Sequence, residues 1–268
     1  MNLKLQTKII RRSFIEMMGH LGIGHLGGSL SIIDVLVVLY YKHMNIDPKN
    51  PKMAGRDRLI LSKGHGGPAL YAVLADLGYF DKSLLLTLNQ SNTSLPSHCD
   101  MNLTPGVDMT AGSLGQGFSA AVGIAKASKI VKDQARIYAI IGDGESQEGQ
   151  IWEAAMFAAN AKLDNFIAFT DNNNAQIDGN TSNINCIEPL DQKWRAFGWN
   201  VIVVQDGNDV EQIDKAILDA LTVKEKPTMI ILKTVKGKGI SFIEKLGYAN
   251  HNMSITKEQT ELALKELE

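Results

Sequence analysis

Cysteine is close to absent. Cys99 and Cys186 are the only two, and they form neither a CxxC pair nor a metal-ligand cluster, so a disulfide framework does not carry this fold. Charge of one sign is lacking too. The 27 lysines and arginines against 29 acids leave a formal charge of -2, which makes no electrostatic case for nucleic acid or an anionic membrane as partner. Long hydrophobic runs are missing: the most apolar stretch, Ser31 to Tyr41, contains Asp34 and is too short to span a bilayer. The opening segment, MNLKLQTKIIRRSFIEMMG, spreads its charges among apolar residues and lacks the uninterrupted apolar core of a secretory leader. No repeat, low-complexity tract or Pro/Gly/Ser linker divides the chain. What remains is 268 residues at 44% hydrophobic, enough for one large α/β core and short for two full domains. The expectation is a soluble, reduced, cytoplasmic enzyme built as a single domain over residues 1–268.

Leu3, Leu5, Ile9, Ile10 and Phe14 recur at helical spacing, predicting an N-terminal helix that ends near Gly19 and Gly22. A Gly/His-rich loop follows, then an apolar helix from about Ile32 to His43, then a turn at Pro48 and Pro51. Beyond these the chain alternates. Short, continuous apolar runs at Arg136 to Ile141, Asn165 to Thr170, Asn200 to Val204 and Pro227 to Leu232 read as parallel strands buried on both faces. Helical stretches through Trp152, Ala155 and Ala158, and from Asp209 to Val223, lie between them. This alternation predicts an α/β fold with a doubly wound, mainly parallel sheet flanked by helices, whose ligand sits beyond the carboxyl ends of the strands. The tail from Thr256 to Glu268 has capping-box spacing at Thr256 and Gln259 and reads equally as an amphipathic packing helix or a solvated end.

Two polar turns at strand ends carry the chemistry. Gly142-Asp143-Gly144 closes one apolar strand, and Asp171-Asn172-Asn173-Asn174 closes the next, one βαβ crossover later. That interval places both on the same edge of the sheet. Either turn alone passes for an ordinary surface loop. Together they offer a carboxylate and neutral amide oxygens, which suit a hard cation such as Mg²⁺ that must also hold phosphate oxygens. The flanking glycines let backbone N–H groups approach an anion.

The pair of turns resembles the thiamine-diphosphate-binding signature, and the resemblance extends over nearly the whole chain to the transketolase family. Gly24-His25-Leu26-Gly27-Gly28-Ser29-Leu30-Ser31 looks like the family's first histidine loop and Leu61-Ser62-Lys63-Gly64-His65-Gly66 like its second. Leu95-Pro96-Ser97-His98, Pro105-Gly106-Val107-Asp108 and Gly112-Ser113-Leu114-Gly115-Gln116-Gly117 follow in the family's order. Lys236-Gly237-Lys238-Gly239-Ile240-Ser241-Phe242, with His251 after it, resembles the segment that carries a late active-site histidine. Departures are Cys99-Asp100 after His98, where the family has Pro and an acid, and Asn250-His251-Asn252 in place of Trp-His-Gly.

The resemblance implies thiamine diphosphate with Mg²⁺ (or Ca²⁺ or Mn²⁺) as cofactors in a diphosphate-binding domain. It implies Asp143, Asn173 and the backbone carbonyl of Ala175 as metal ligands, Asn173 being picked out by its distance from Ile177-Asp178-Gly179. His65, Gly112, Ser113, Leu114, Asp143, Gly144, Glu145, Asn173 and His251 would bind the cofactor. His25, His98 and His251 would act on the sugar, since imidazole donates or accepts protons near neutral pH. Lys236-Gly237-Lys238-Gly239 stays unassigned between a phosphate-gripping loop and a solvated turn. The family activates its cofactor with a glutamate on a separate pyrimidine-binding domain. Glu145, Glu148 and Glu153 fall at the wrong end of the cofactor for that, and no other segment is left for it, so a second, C-terminal subunit in an α₂β₂ assembly is expected. The activity implied is transfer of a two-carbon ketol unit from a ketose, such as a sugar phosphate, to an aldose. Alternatives are a transketolase for a sulfonated or branched ketose, half of a 1-deoxyxylulose-5-phosphate synthase type enzyme, or a non-catalytic cofactor-binding subunit.

Overall fold

The computed structural model describes residues 1–268. Seven strands occur: β1 (Ile23–Gly24), β2 (Arg58–Leu61), β3 (Ile137–Gly142), β4 (Phe166–Asn172), β5 (Asn200–Val204), β6 (Thr228–Lys233) and β7 (Met253–Ser254). Five of them form one parallel sheet in the order β2-β3-β4-β6-β5, while β1 and β7 make a separate two-residue antiparallel ladder. The four apolar runs read from sequence are β3, β4, β5 and β6; β5 has the expected bounds and the others differ by a residue or two. Strand β2 was not anticipated. It is only four residues long, and its apolar run merges into the Gly/His loop behind it.

The strands are apolar throughout because both faces are covered. Side chains alternate: Tyr138 and Ile140, Ile167 and Phe169, Ile230 and Leu232 face one apolar cluster. Ile137, Ala139 and Ile141, Phe166 and Ala168, Met229 and Ile231 face the other. Helices 3–21, 33–38, 67–77, 210–221 and 257–266 cover the first face, and helices 116–131, 149–160 and 190–196 cover the second. The expected doubly wound α/β arrangement is therefore observed. No helix is long and apolar enough to cross a membrane.

Local signals explain the helix ends. Helix 3–21 stops where Gly22 adopts φ 83° and returns its N–H to the Met18 carbonyl. Asp209 caps helix 210–221 by accepting from Glu211 N and Gln212 N. The tail forms helix 257–266 behind a complete Thr256/Gln259 capping box, and Ala263 is fully buried. It docks on helix 3–21 at Gly19, where a Cβ would come within 2.4 Å of Thr260 Cγ2. The helix expected from Ile32 to His43 forms as helix 33–38 running on into a π-helical turn at 39–43, and a separate short helical turn at 27–30 precedes it. Asp34, the lone acid in that run, is buried against Arg11 and Asn208.

Candidate active site

The ends of β3 and β4 lie level, with Gly142 opposite Asp171. Asp143 N then donates to the Asp171 carbonyl at 3.2 Å, so the two polar turns stand side by side. Asp143 is buried. Its Oδ1 accepts from Gly144 N at 2.8 Å, and its Oδ2 accepts from Asn173 N at 3.1 Å and Ala175 N at 3.2 Å. Burial pushes its carboxyl up to about 6, with the Asp171 charge adding and the Gly144 contact, Lys63 and the Ala175 contact opposing.

The three asparagines of the second turn have separate roles. Asn172 Nδ2 donates to Glu188 at 3.3 Å. Asn174, at φ 58°, accepts from Thr181 Oγ1 and Ser182 N and so shapes the turn. Asn173 alone of the three lines the cavity beside Asp143, and its Oδ1 is buried with no hydrogen-bond partner. A buried carbonyl oxygen without a donor is costly, and a cation would satisfy it. The Ala175 carbonyl, also on the cavity wall, takes only a 3.4 Å contact from Lys236 Nζ. One carboxylate, one amide oxygen and one backbone carbonyl are oxygen donors of the kind Mg²⁺ prefers when phosphate and water complete its shell. No cluster of three or more His, Cys, Asp or Glu is placed to hold a metal; this set lies outside those residue types.

Two buried lysines border the same space. Lys63 Nζ bonds Asp171 Oδ2 at 2.6 Å and the Gly28 carbonyl at 2.8 Å. Burial raises the Asp171 carboxyl, but Lys63, Thr234 and Ser31 outweigh it and hold the group below its ordinary range. Lys236, left open between a phosphate grip and a solvated turn, is buried. Burial and the Lys63 charge lower its ammonium to about 8. Its Nζ lies 3.1 Å from His251 Nδ1. With the ammonium as donor, Nδ1 accepts and the ring hydrogen sits on Nε2.

Four histidines form the opposite wall. His25 has its ring centroid 5.6 Å from His65, 5.5 Å from His98 and 5.6 Å from His251, and His65 lies 4.8 Å from His251. Burial lowers all four, helped at His25 by His98, at His65 by Lys63 and at His251, brought to about 3, by Lys236. They are therefore neutral at pH 7 and able to accept or pass protons. Local structure fixes each. His65 sits on a 3₁₀ turn whose Gly64 touches the next loop so closely that a Cβ would lie 2.2 Å from the Ala111 carbonyl. His98 precedes Cys99, which is 1% exposed and anchors its loop in the core against Gly67. His251 follows Asn250, a fully buried residue whose Nδ2 holds the Lys236 and Ile243 carbonyls at 3.1 and 2.8 Å.

A cavity of about 370 Å³ joins these groups. Of the residues singled out from sequence, it brings together His25, His65, His98, His251, Gly112, Leu114, Asp143, Gly144, Glu145, Asn173 and Ala175. Ser113 does not line it and is exposed. Glu145 lines it with its carboxylate turned into the protein, bonded to Ser62 Oγ, Gly115 N and Gly142 N. Lys63, Asp171, Gln147 and Gln176 also line it and were not singled out. Lys63 lies beside His65 in the quoted loop, and position at the end of β2 was its one available signal.

The chain matches the family model described as transketolase, thiamine diphosphate binding domain, over residues 4–267. It is 58% identical over all of its 268 residues, and over 96% of the relative, to the 6-deoxy-6-sulfo-D-fructose transketolase subunit of Clostridium sp. (strain MSTE9). Identity is 41% to an apulose-4-phosphate transketolase subunit of Actinobacillus succinogenes, covering 99% of this chain and 95% of that one. The solved transketolase from Leishmania mexicana superposes with a TM-score of 0.93 at 30% identity, over 100% of this chain and 41% of the other. The transketolase from Campylobacter jejuni gives 0.92 at 34%, over 100% and 43%. The chain thus spans less than half of those solved transketolases and nearly all of the subunit-type relatives.

Proposed function

The chain belongs to the transketolase thiamine-diphosphate-binding family, and on that premise we propose that it is the N-terminal, diphosphate-binding subunit of a two-chain, Mg²⁺-dependent transketolase. It is a single diphosphate-binding domain that works in the cytoplasm with a C-terminal subunit supplying the activating glutamate, in an α₂β₂ assembly. The observation that carries this reading is the unpartnered, buried Asn173 Oδ1 beside Asp143, across one cavity from four neutral histidines. Bound thiamine diphosphate supplies the carbon nucleophile and the electron sink for breaking the C2–C3 bond of a ketose.

This chain's residues do the rest. Asp143, Asn173 Oδ1 and the Ala175 carbonyl hold the divalent ion. Gly142, Gly144, Gly112 and Leu114 shape the walls for the diphosphate and the ring beside it, Lys236 offsets the diphosphate charge, and neutral His65 offers the diphosphate a ring N–H. His251, with Nδ1 committed to Lys236, presents Nε2–H as a donor. His25 and His98 accept and return protons of sugar hydroxyls, a task for which neutral imidazole is suited at pH 7. Glu148, exposed at the start of helix 149–160, faces the partner subunit. Gly112 and Ile177, the latter 65% exposed, form a rim for that second chain to cover.

A sulfonated ketose is the favoured donor over a sugar phosphate, supported by the 58% identity over all of this chain and 96% of a sulfofructose transketolase subunit, compared with 41% to an apulose-phosphate one. The test is reconstitution with the C-terminal subunit, with xylulose 5-phosphate and 6-deoxy-6-sulfofructose offered separately as donors to one aldose acceptor. Ketol transfer that needs both chains, thiamine diphosphate and Mg²⁺, with the larger kcat/KM for the sulfonated donor, is expected. Transfer by the isolated chain, or none by the pair on either donor, would contradict the assignment.

A further inference from the structure

The side chain of Glu145 connects three walls of the cavity with its carboxylate turned away from the interior. It is 2% exposed. Oε1 accepts from Ser62 Oγ and from Gly115 N at 2.9 Å, and Oε2 accepts from Gly142 N at 3.1 Å. The hydroxyl direction is fixed as well: Ser62 Oγ already accepts from Phe118 N at 2.9 Å, so its own hydrogen goes to Glu145. Each tie lands at a different wall. Ser62 starts the loop carrying Lys63 and His65, Gly115 closes the Gly112–Leu114 turn and opens helix 116–131, and Gly142 precedes Asp143. All three partners are donors, and only a group with two acceptor oxygens and no hydrogen satisfies them all.

We propose that Glu145 is a positioning residue that sets the mutual spacing of the three loops receiving thiamine diphosphate and its metal, acting entirely through Ser62, Gly115 and Gly142. This rests on the reading of the site as a thiamine-diphosphate site. The alternative, direct contact with the cofactor, predicts the opposite sign. A carboxylate touching the diphosphate would repel it, so neutralising Glu145 would tighten binding. Under the positioning role, neutralising it loosens binding. In Glu145→Gln the amide oxygen can keep two donors, but the NH₂ group meets the third N–H head-on, leaving a buried donor unsatisfied beside Asp143.

The experiment is titration calorimetry of thiamine diphosphate with Mg²⁺ into the two-chain complex, paired with turnover at saturating cofactor. Wild type, Glu145→Gln and Ser62→Ala are compared, with cofactor-free thermal melts for each. Expected is a 10-fold or greater weakening of cofactor binding in Glu145→Gln, about threefold or more in Ser62→Ala, and kcat at saturating cofactor within about twofold of wild type in both. A lowered melting temperature with unchanged affinity would reduce Glu145 to a stability role, and tighter binding would make it a direct contact; either overturns the proposal. If Glu145→Gln does not fold, Ser62→Ala decides alone, and unchanged affinity there is refuting. Absence of binding by the wild-type complex would instead sink the cofactor assignment itself.

Discussion

Replacing Asp143 by asparagine should separate the stability of this chain from its capacity to hold the cofactor. The Asp143 carboxyl is moved from an ordinary value of 3.8 to about 6, chiefly by burial. At about 1.4 kcal/mol per tenfold change in proton affinity, keeping it ionised at neutral pH costs the cofactor-free fold roughly 3 kcal/mol. The sign is that of a raised carboxyl: this contribution to stability is lost as pH rises from about 4 through 6, and is fully lost at pH 7. Asparagine removes that cost. It also turns one acceptor oxygen into a donor, opposing one of the N–H groups of Gly144, Asn173 and Ala175, for a loss of about 1–3 kcal/mol. The net is about 0–2 kcal/mol of added stability, or a melting temperature from unchanged to about 6 °C higher. With cofactor and Mg²⁺ at about 100 times their dissociation constant, the wild-type complex should gain about 2.7 kcal/mol, and Asp143→Asn nothing. In the wild type, protons compete with the metal for this carboxylate, so cofactor affinity should fall as pH drops below about 6. Thermal melts with and without ligand at pH 5 and 7.5 measure both effects. An Asp143→Asn chain that melts many degrees lower without ligand, or keeps the ligand-induced rise, refutes the reasoning.

Lys63→Met strands the Asp171 carboxylate in the interior, where it keeps only hydroxyl partners; denaturant unfolding should show a loss of about 3–5 kcal/mol, and a loss below 1 kcal/mol would contradict the ion pair. Gly27→Ala would put a Cβ 1.7 Å from Asn250 Oδ1, costing about 1–3 kcal/mol and lowering turnover of the assembled enzyme by disturbing Lys236 and His251. Gly123→Ala, on helix 116–131 with nothing near its Cβ, should instead gain about 0.5–1 kcal/mol, and equal effects at the two glycines would contradict the packing described. His25→Ala should leave calorimetric cofactor affinity within about threefold and cut kcat by about 100-fold or more; a large loss of affinity would move His25 to a binding role.

How much of this was legible in the sequence depended on whether the signal was local. Strands β3 to β6 were readable because a strand buried on both faces must be apolar throughout, and their polar turns stand out against that background. Strand β2 escaped because four apolar residues between a Gly-rich loop and a turn carry no usable period. The burial of Asp34 was hidden because its partners, Arg11 and Asn208, lie 23 and 174 residues away in the chain. In the site, Asp143 and the histidines are conspicuous residue types in Gly-rich loops. Lys236 and Lys63 are not, because lysine is usually solvated, and only the fold reveals that both are buried. Glu145 was expected among the cofactor-binding residues, and the inward turn of its carboxylate was not legible. Its orientation depends on Ser62 and Gly115, which tertiary packing alone brings to it.

The proposed chemistry of the cavity requires Asp143 and Asn173 to hold one divalent ion together. Anomalous diffraction from crystals of the two-chain complex with Mn²⁺ and thiamine diphosphate measures this directly. A single metal peak about 2.1–2.2 Å from Asp143, Asn173 Oδ1 and the Ala175 carbonyl is predicted. A peak elsewhere in the cavity, or an Asn173 amide turned away from the ion, would contradict it.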